Sequence, residues 1–392
     1  MRVLFLNSRL SDRGGADRWL LGVLARLQGR VETLLAVGYE DRALPRAERS
    51  RIGPVVRIKG LDGRGLGRRD GGPVERLRRL IDQFAPHVVH ANDVTDPELL
   101  EVGAASGRGV QTVQDHRFFC PGRGKVDAAD RPCHDPMGES CLRCFEDAAY
   151  GERMLDLTRR RLAPLLRMKR ITVLSRYMAR ELAGVGVPPD RIARIPPFVD
   201  ALAVEPGPRS GAGGGEFHLL ASRLTLHKGV EVALAAARAL RTALPLVVAG
   251  DGPLAGAVEQ ESRNAGGRVR YAGWADRSRL AALLGRARSV WLPGLWAEPF
   301  GIAGLEAMAA GVPVISSAGG GVSDWLADGE TGLLVEPGSA ADLARAADRL
   351  ASQPDLARRL GRNGRERAAR CFRPEEIMRR LLAVYEGIAG WS

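Results

Sequence analysis

Short apolar runs that end in polar residues, each followed by a turn and then a helical pattern, recur along this chain, and that alternation limits its fold more than any other feature. "MRVLFLN" leads through a loop containing Gly14 and Gly15 into a helix with one apolar face. The unit returns in "ETLLAVG", the helix "VERLRRLIDQFA", and the strands "PHVVHAND", "GVQTVQD" and "RITVLS", the last leading into the helix "RYMARELAGVG". Strands that alternate with helices predict a parallel sheet covered on both faces, with ligands beyond the carboxyl ends of its strands. Asn92, Asp93, Gln114 and Asp115 stand at such ends. The alternation pauses at "IPPFVDALAVEPGPRSGAGGGE", Ile195 to Glu216, where proline and glycine without an apolar period predict a linker. A second series follows, from "FHLLAS" through "PLVVAGDG", "VRYAGW", "SVWLPG" and "PVISS" to "TGLLVEPG", and helices close the chain. The expectation is an α/β protein of two Rossmann-like domains facing each other across a cleft, which suits a ligand with two chemically different halves.

A chain of 392 residues is long enough for two such cores, and 45% hydrophobic with 27% charged residues is the balance of a globular enzyme. No apolar run reaches the roughly 18 residues of a membrane span, and the first ten residues are too polar for a signal peptide, so a cytoplasmic location is expected. The net charge of +12 is uneven, with 35 Lys and Arg against 26 Asp and Glu in residues 1 to 200. In "TRRRLAPLLRMKR", Thr158 to Arg170, basic residues interleave with leucines. This reads either as a solvated, arginine-biased surface or as a helix making peripheral contact with an anionic membrane. No nucleic-acid partner is expected.

The second half concentrates the chemistry. "ASRLTLHKG" puts Arg223 and Lys228 just beyond a strand, where two fixed cations suit a diphosphate, although two ordinary surface residues would look the same. "VVAGDGPL" brings Gly250 and Gly252 after a buried strand, and it is neither a Walker A loop nor a dinucleotide fingerprint. "WAEPFGIAGLEAMAAGVPVI" carries Glu298 and Glu306 with seven residues between them. Acidic residues near a helix start are common, so the pair alone admits a plain surface reading.

Taken in order, "SRLTLHKG", "VVAGDGPL", "YAGW", "LPGLWAEPFGIAGLEAMAAGVPVISS", "GGGVSDWLADGETGLLVEPG" and "RCFRPEEI" resemble the C-terminal half of a retaining family-4 glycosyltransferase of the GT-B fold. "RGGADRW", "APHVVHAND" and "VLSRYMARELAGVGVPPDRIARIPPFVD" resemble its N-terminal half. The resemblance implies sugar transfer from a nucleotide diphosphate sugar to a glycan, lipid-linked or small-molecule acceptor, with no cofactor required for catalysis. It implies that Glu298 bonds the donor sugar, and that backbone N–H groups of Phe300, Gly301 and Ile302 approach sugar and phosphate at a helix start. Glu306, two turns further along what reads as the same helix, would hold the ribose. Backbone near Trp274 and Ala275 would contact the base, with Gly14, Gly15 and Gly252 also on the donor. In the implied same-face substitution the leaving phosphate takes the acceptor proton while Arg223 and Lys228 meet its charge. An epimerase of the same fold, and a non-catalytic nucleotide-sugar sensor of metal or redox state, are the rival readings.

The chain departs from that pattern in "TVQDHRFFCPGRGK". Gln114 stands where relatives carry histidine, Asp115 is kept, and His116 follows. An amide can donate a hydrogen bond to a sugar but does not titrate, so Gln114 and Asp115 are the candidate catalytic pair and His116 is expected to be structural. Cys120, Cys133, Cys141 and Cys144 then cluster in one polar loop, a set that suits a structural zinc, less readily an iron–sulfur cluster, or else reduced or redox-active thiols. The expected domains are residues 1–198 for the acceptor, with the cysteine-rich loop at 116–147; a linker at 199–215; residues 216–373 for the nucleotide sugar; and a C-terminal helix at 374–392 returning to the first domain.

Overall fold

A computed structural model of the chain describes residues 1–12, 14–41, 44–62, 72–129, 131–199 and 216–390. Apart from Val199, the expected linker at 199–215 lies outside the described residues, as do Arg42, Arg64, Arg68 and Arg69 of the basic N-terminal half. Two compact units are present. One comprises Met1–Gly124, Asp135–Pro197 and Glu375–Ser392, the other Lys125–His134 and Phe198–Pro374.

The first unit opens with β1 (Arg2–Leu10), α1 (Gly15–Leu27), β2 (Glu32–Glu40), α2 (Arg46–Ser50) and β3 (Val55–Arg57). It continues through α3 (Pro73–Phe84), β4 (Val88–Ala91), α4 (Pro97–Ala105) and β5 (Gly109–Val113). Then come α5 (Ala148–Leu165), β6 (Arg170–Val173), α6 (Arg176–Gly184) and β7 (Ile192–Arg194). Among the described residues its strands form a seven-stranded parallel sheet in the order β3-β2-β1-β4-β5-β6-β7. Val3 to Leu6 in β1 and the whole of β4 and β5 are buried, the polar His90, Gln111 and Thr112 included, as a sheet covered on both faces requires. The two edge strands have three residues each, too short to show a period.

The basic, leucine-bearing stretch from Thr158 is the end of α5 and the turn into β6. Leu162, Leu165 and Met168 are buried within the protein, so its apolar side is already used. Arg160 pairs with Asp156, Arg167 with Glu101, and Arg161 donates to the Thr95 carbonyl, leaving a polar outer face.

The second unit runs β8 (Phe217–Ala221), α7 (Val230–Ala239), β9 (Leu246–Ala249), α8 (Ala255–Asn264) and β10 (Val269–Gly273). It goes on with α9 (Arg277–Arg286), β11 (Ala287–Leu292), α10 (Ile302–Ala309), β12 (Val314–Ser317), β13 (Gly332–Val335), α11 (Ala340–Ser352) and α12 (Pro354–Cys371). Its strands pair in parallel in the order β10-β9-β8-β11-β12-β13 among the described residues. Trp291, Leu246, Ile315, Leu343 and Leu360 meet in its core. Two parallel-sheet units of this kind are the GT-B architecture.

The last helix, α13 (Pro374–Ala389), packs on the first unit. Ile377, Leu381 and Tyr385, one every four residues and so on one face, are each 0% exposed. Tyr385 sets its ring edge-on to Phe5 and to His90, and its hydroxyl lies 2.6 Å from His90 Nδ1. His90 Nε2 meets Thr112 Oγ1 at 2.6 Å, which meets Thr172 Oγ1 at 2.6 Å. The polar atoms of His90, Thr112, Thr172 and Tyr385 are thus satisfied by one another, while Gln111 Oε1 on β5 has no hydrogen-bond partner.

Burial pushes His90 in the first unit and His218 in the second down to about 3 each. Unfolded histidine titrates near 6.5, so between roughly pH 6.5 and 3 the unfolded chain binds protons that the folded chain refuses. Stability is therefore complete above about pH 6.5 and is lost as pH falls through that window, by about 1.4 kcal/mol per pH unit for each histidine. Thermal melting should show midpoints dropping steadily from pH 7 to pH 4.5, with a shallower fall for His90→Asn in the transition of the first unit. A flat profile over that range would contradict the assignment.

Candidate functional site

In the second sheet the strand order reverses at β8, which has β9 on one side and β11 on the other. The loops leaving the carboxyl ends of β8 and β11 therefore run side by side, the place where an open parallel sheet holds a ligand. Leu295 N–H donates to the His227 carbonyl at 3.0 Å, tying the loops together. Gly229 lies so close to the second loop that a Cβ on it would stand 1.8 Å from the Pro293 carbonyl oxygen, and its φ is +71°. Only glycine fits there.

This junction positions the charged groups. Lys228 Nζ and Trp296 Nε1 both donate to Glu298 Oε2, at 2.7 and 2.8 Å. Lys228 also sits 4.6 Å from the centre of the Trp296 ring, against which His227 packs at 4.5 Å. Lys228 and Glu298 are each 21% exposed, so the pair is partly desolvated yet open to a ligand. Burial, then the nearby Lys228 and Arg223, push His227 down to about 4, so its imidazole is neutral around pH 7. Arg223 is exposed on the same loop. His227 and Trp296 were not singled out in the sequence, although each adjoins a motif, in "LHKG" and "LWAEPFG".

Glu298 and Glu306 do not share a helix. Helix α10 begins at Ile302, and Glu298 lies in the loop before it. The loop after β12 grips Glu298 through its backbone: Gly321 N–H donates to the Glu298 carbonyl at 2.7 Å, and a Cβ on Gly320 would come 2.3 Å from that oxygen. Gly301, at φ +91°, is the N-cap of α10 and supplies no side-chain bond, which leaves the positive end of the helix without a side-chain cap. Phe300 is buried against Phe372, and its carbonyl accepts from Trp325 Nε1. Glu306 is half-buried inside the helix. The two carboxylates are placed by a glycine-broken loop and a helix, rather than by two helical turns.

At the neighbouring strand ends, Tyr271 donates its hydroxyl to the Gly250 carbonyl at 3.0 Å, joining the loop after β9 to β10 itself. Gly252 belongs to the first of these, and Leu224 N–H donates to the Asp251 carbonyl beside it at 2.8 Å. Trp274, 46% exposed, and Ala275 follow β10. Arg223, Lys228, Gly252, Trp274, Ala275, Glu298, Phe300, Gly301 and Ile302 thus all lie on the carboxyl-edge loops, or at the helix start they lead into, of one sheet.

In the first unit, Gly14 is the N-cap of α1 and Gly15 its first residue. Asp17 occupies that first turn and pairs with Arg9 at 2.7 Å, so the positive helix end already faces a carboxylate of its own chain. Gln114 donates from Nε2 to Asn92 Oδ1 at 2.7 Å. Asp115 accepts from Arg117 N–H at 3.0 Å and from its Nε at 2.9 Å. Burial favours its neutral form, but Arg117 outweighs this and holds it below the usual carboxylate range. His116 is buried, with Nε2 3.1 Å from the Tyr177 hydroxyl and its ring edge-on to Phe119, the packing of a structural residue.

The cysteine-rich loop divides. Lys125–His134, with Cys133, belongs to the second unit, while Cys120, Cys141 and Cys144 belong to the first. Asp127 and Arg131 close the excursion through backbone and guanidinium bonds at 2.8 and 3.0 Å, and Cys133 N–H donates to the Lys125 carbonyl at 2.8 Å. Cys141 and Cys144 share a 3-10 turn, Glu139–Cys144. Among the described residues, no group of three or more His, Cys, Asp or Glu side chains is placed to hold a metal ion.

Two family models match the chain: "Glycosyltransferase Family 4" over residues 13–201 and "Glycosyl transferases group 1" over residues 210–367. The chain is 35% identical over 174 residues to the glycogen synthase of Mycobacterium tuberculosis, which covers 43% of this chain and 41% of that protein. It is 36% identical over 192 residues to the D-inositol 3-phosphate glycosyltransferase of an Arthrobacter species, covering 44% and 45%. It thus spans less than half the length of each of these two relatives. The fold is similar to that of Anabaena HepE in complex with UDP and glucose, with a TM-score of 0.76, 17% identity, and 99% and 100% of the two chains covered. The sucrose-phosphate synthase of Thermosynechococcus elongatus is similar at a TM-score of 0.75 and 22% identity, covering all of both chains.

The close approach at the loop junction has a measurable consequence. Gly229→Ala must move the Pro293 loop and should lower the melting temperature strongly, as for a loss of about 3 kcal/mol or more. Gly266→Ala, at φ +55° with no atom within 4 Å of the new Cβ, should lose only about 1 kcal/mol. Equal effects would mean that the junction is not tight.

Proposed function

As the chain belongs to the family-4, group 1 glycosyltransferases, we propose that it transfers a sugar from a nucleoside diphosphate sugar to an acceptor hydroxyl. The observation that carries this reading is the Lys228–Glu298 pair beside the uncapped start of α10, with Arg223 on the adjoining loop. A donor sugar bears hydroxyls and a diphosphate bears two or more negative charges, and these groups are the complements of both. Glu298 accepts bonds from the sugar, the start of α10 faces phosphate, Glu306 holds the ribose, and the backbone at Trp274 and Ala275 meets the base.

In the reaction the acceptor oxygen forms a bond to the anomeric carbon as the bond from that carbon to phosphate oxygen breaks. The acceptor proton passes to the departing phosphate on the same face, so the configuration is retained. Negative charge grows on the diphosphate during this step. Arg223 and Lys228 are the groups that meet it, and a cation aimed at developing charge acts on the transition state more than on the ground state. Lys228 is already bonded to the carboxylate that holds the sugar, so one side chain links the sugar and phosphate contacts. No divalent metal enters this reading. The acceptor is assigned to the first unit.

A thermal-shift screen against UDP-, GDP- and ADP-sugars tests the proposal directly. One donor should raise the melting temperature by mass action, and its hydrolysed or transferred sugar should be detectable. No shift and no turnover with any of them would end the proposal. With that donor in hand, Glu306→Ala should weaken the intact donor and the free nucleoside diphosphate alike in isothermal titration, whereas Glu298→Ala should spare the free nucleotide and depress turnover. Equal losses would overturn the two assignments. Arg223→Ala and Lys228→Ala should each lower kcat by about 100-fold or more while donor binding falls less, and wild-type activity should persist in chelator.

A further inference from the structure

Three amides stand in a row at the carboxyl edge of the first sheet, one from each of three neighbouring strands or their ends. Asn7 is on β1, Asn92 follows β4 and Gln114 follows β5, and β1, β4 and β5 are adjacent in the sheet. Asn7 and Asn92 are each 0% exposed. Asn7 Nδ2 donates to the Arg9 carbonyl at 2.6 Å, Asn92 Nδ2 to Asn7 Oδ1 at 2.8 Å, and Gln114 Nε2 to Asn92 Oδ1 at 2.7 Å.

The direction of this row is not arbitrary. An amide side chain can be turned end for end, and its orientation follows from its partners. The Arg9 carbonyl can only accept, so the Asn7 group facing it must be its NH2. The carboxyl of Asp17, pushed up by burial and drawn down by Arg9 and by Asn7, faces that same NH2. Asn7 therefore presents oxygen to Asn92, Asn92 presents NH2 to Asn7 and oxygen to Gln114, and Gln114 must present NH2 inward. Each turn of a single amide would set oxygen against oxygen or NH2 against NH2 in a buried place, which costs an unmade bond on both partners.

We propose that Asn7 and Asn92 are positioning residues that polarise Gln114, so that its Oε1 carbonyl faces outward as a fixed acceptor for a ligand hydroxyl. This rests on the sugar-transfer reading above, and it reverses the role expected from the sequence, where the amide was to donate. Gln114 is only half-buried, which leaves that oxygen within reach of a ligand. The hydroxyl belongs either to the donor sugar or to the acceptor.

Gln114→Glu tests the polarity without reference to activity. A carboxylate cannot donate to Asn92 Oδ1, but a protonated carboxyl can. The folded state should hold Glu at this position protonated well above the ordinary value near 4.3. Its stability relative to wild type should then be present at acid pH and lost as pH rises from about 4.5 towards 7. A melting-temperature difference that does not change with pH would overturn the relay. Gln114→Met keeps the length and removes the outward acceptor. It should lower kcat/KM by about 10-fold or more, the effect of one lost hydrogen bond in a partly buried site. Donor and acceptor are then titrated separately against the variant, with deoxysugar donors as a second arm. A loss that disappears with one deoxy donor assigns the hydroxyl to the donor sugar, and a loss confined to acceptor KM assigns it to the acceptor. An unchanged kcat/KM for both substrates would overturn the proposal while leaving sugar transfer intact. A wild-type enzyme that turns over no nucleotide sugar would remove the ligand half, with the pH-dependent melting of Gln114→Glu still deciding the relay.

Discussion

The chemistry of the second unit depends on one constraint, the contact of two backbones where the strand order turns around. A parallel sheet that grows first to one side and then to the other brings together, at adjacent strands, two loops that are far apart in the chain and lead to opposite sides of the sheet. Here those loops touch, backbone against backbone, at Gly229 and Pro293. The contact fixes Lys228 in one loop and Glu298 in the other at bonding distance. Lys228 ends a single 3-10 turn, Leu226–Lys228, and Glu298 lies in a loop, so no shared helix or strand pairs them. Their relation is a tertiary fact, held by a glycine without a side chain, by the Leu295 bond to His227 and by the grip of the β12 loop on the Glu298 backbone.

This explains which parts of the site could be read from the sequence. The alternating strands and helices were legible because buried parallel strands are mostly apolar, and their carboxyl ends marked where the loops carrying the candidate residues would lie. The placement of Arg223, Lys228 and Glu298 at the carboxyl edge, and of Glu306 in the helix that follows, was legible because their motifs follow those ends. The geometry linking Glu298 to Glu306 was not legible. Eight residues of mixed sequence look like two helical turns, and only the positive φ at Gly301 shows that the helix starts after the first of the pair. Trp296 was hidden for another reason: a tryptophan in an apolar loop looks like core, and its indole N–H matters only once the fold carries it to a carboxylate.

The cysteine loop shows the same limit from the other side. Four cysteines within a short polar segment suggest a shared ligand, because spacing in sequence stands in for spacing in the fold. The chain between them makes an excursion closed by the Asp127–Arg131 turn, and Cys133 goes with it into the second unit. Among the described residues no three such side chains are placed to hold one metal ion, which spacing along the chain could not tell.

The two units treat polarity differently, and the difference follows from the charge of what each would meet. Lys228 and Glu298 form a partly exposed ion pair, as a diphosphate would require, because a fully buried pair would lose more in desolvation than it could return on binding. Around Asn7, Asn92 and Gln114 the groups facing one another are neutral amides, two of them wholly buried, and their bonds are directional rather than long-ranged. A neutral hydroxyl is told apart by direction, since it offers one proton and no net charge. A histidine in the place of Gln114 could serve as acceptor only while neutral and only in one tautomer. On the proposed relay, an amide whose direction is set by a backbone carbonyl two strands away would be an acceptor at every pH at which the fold survives, so an amide where the resemblance leads one to expect histidine would give up titration and keep the hydrogen bond.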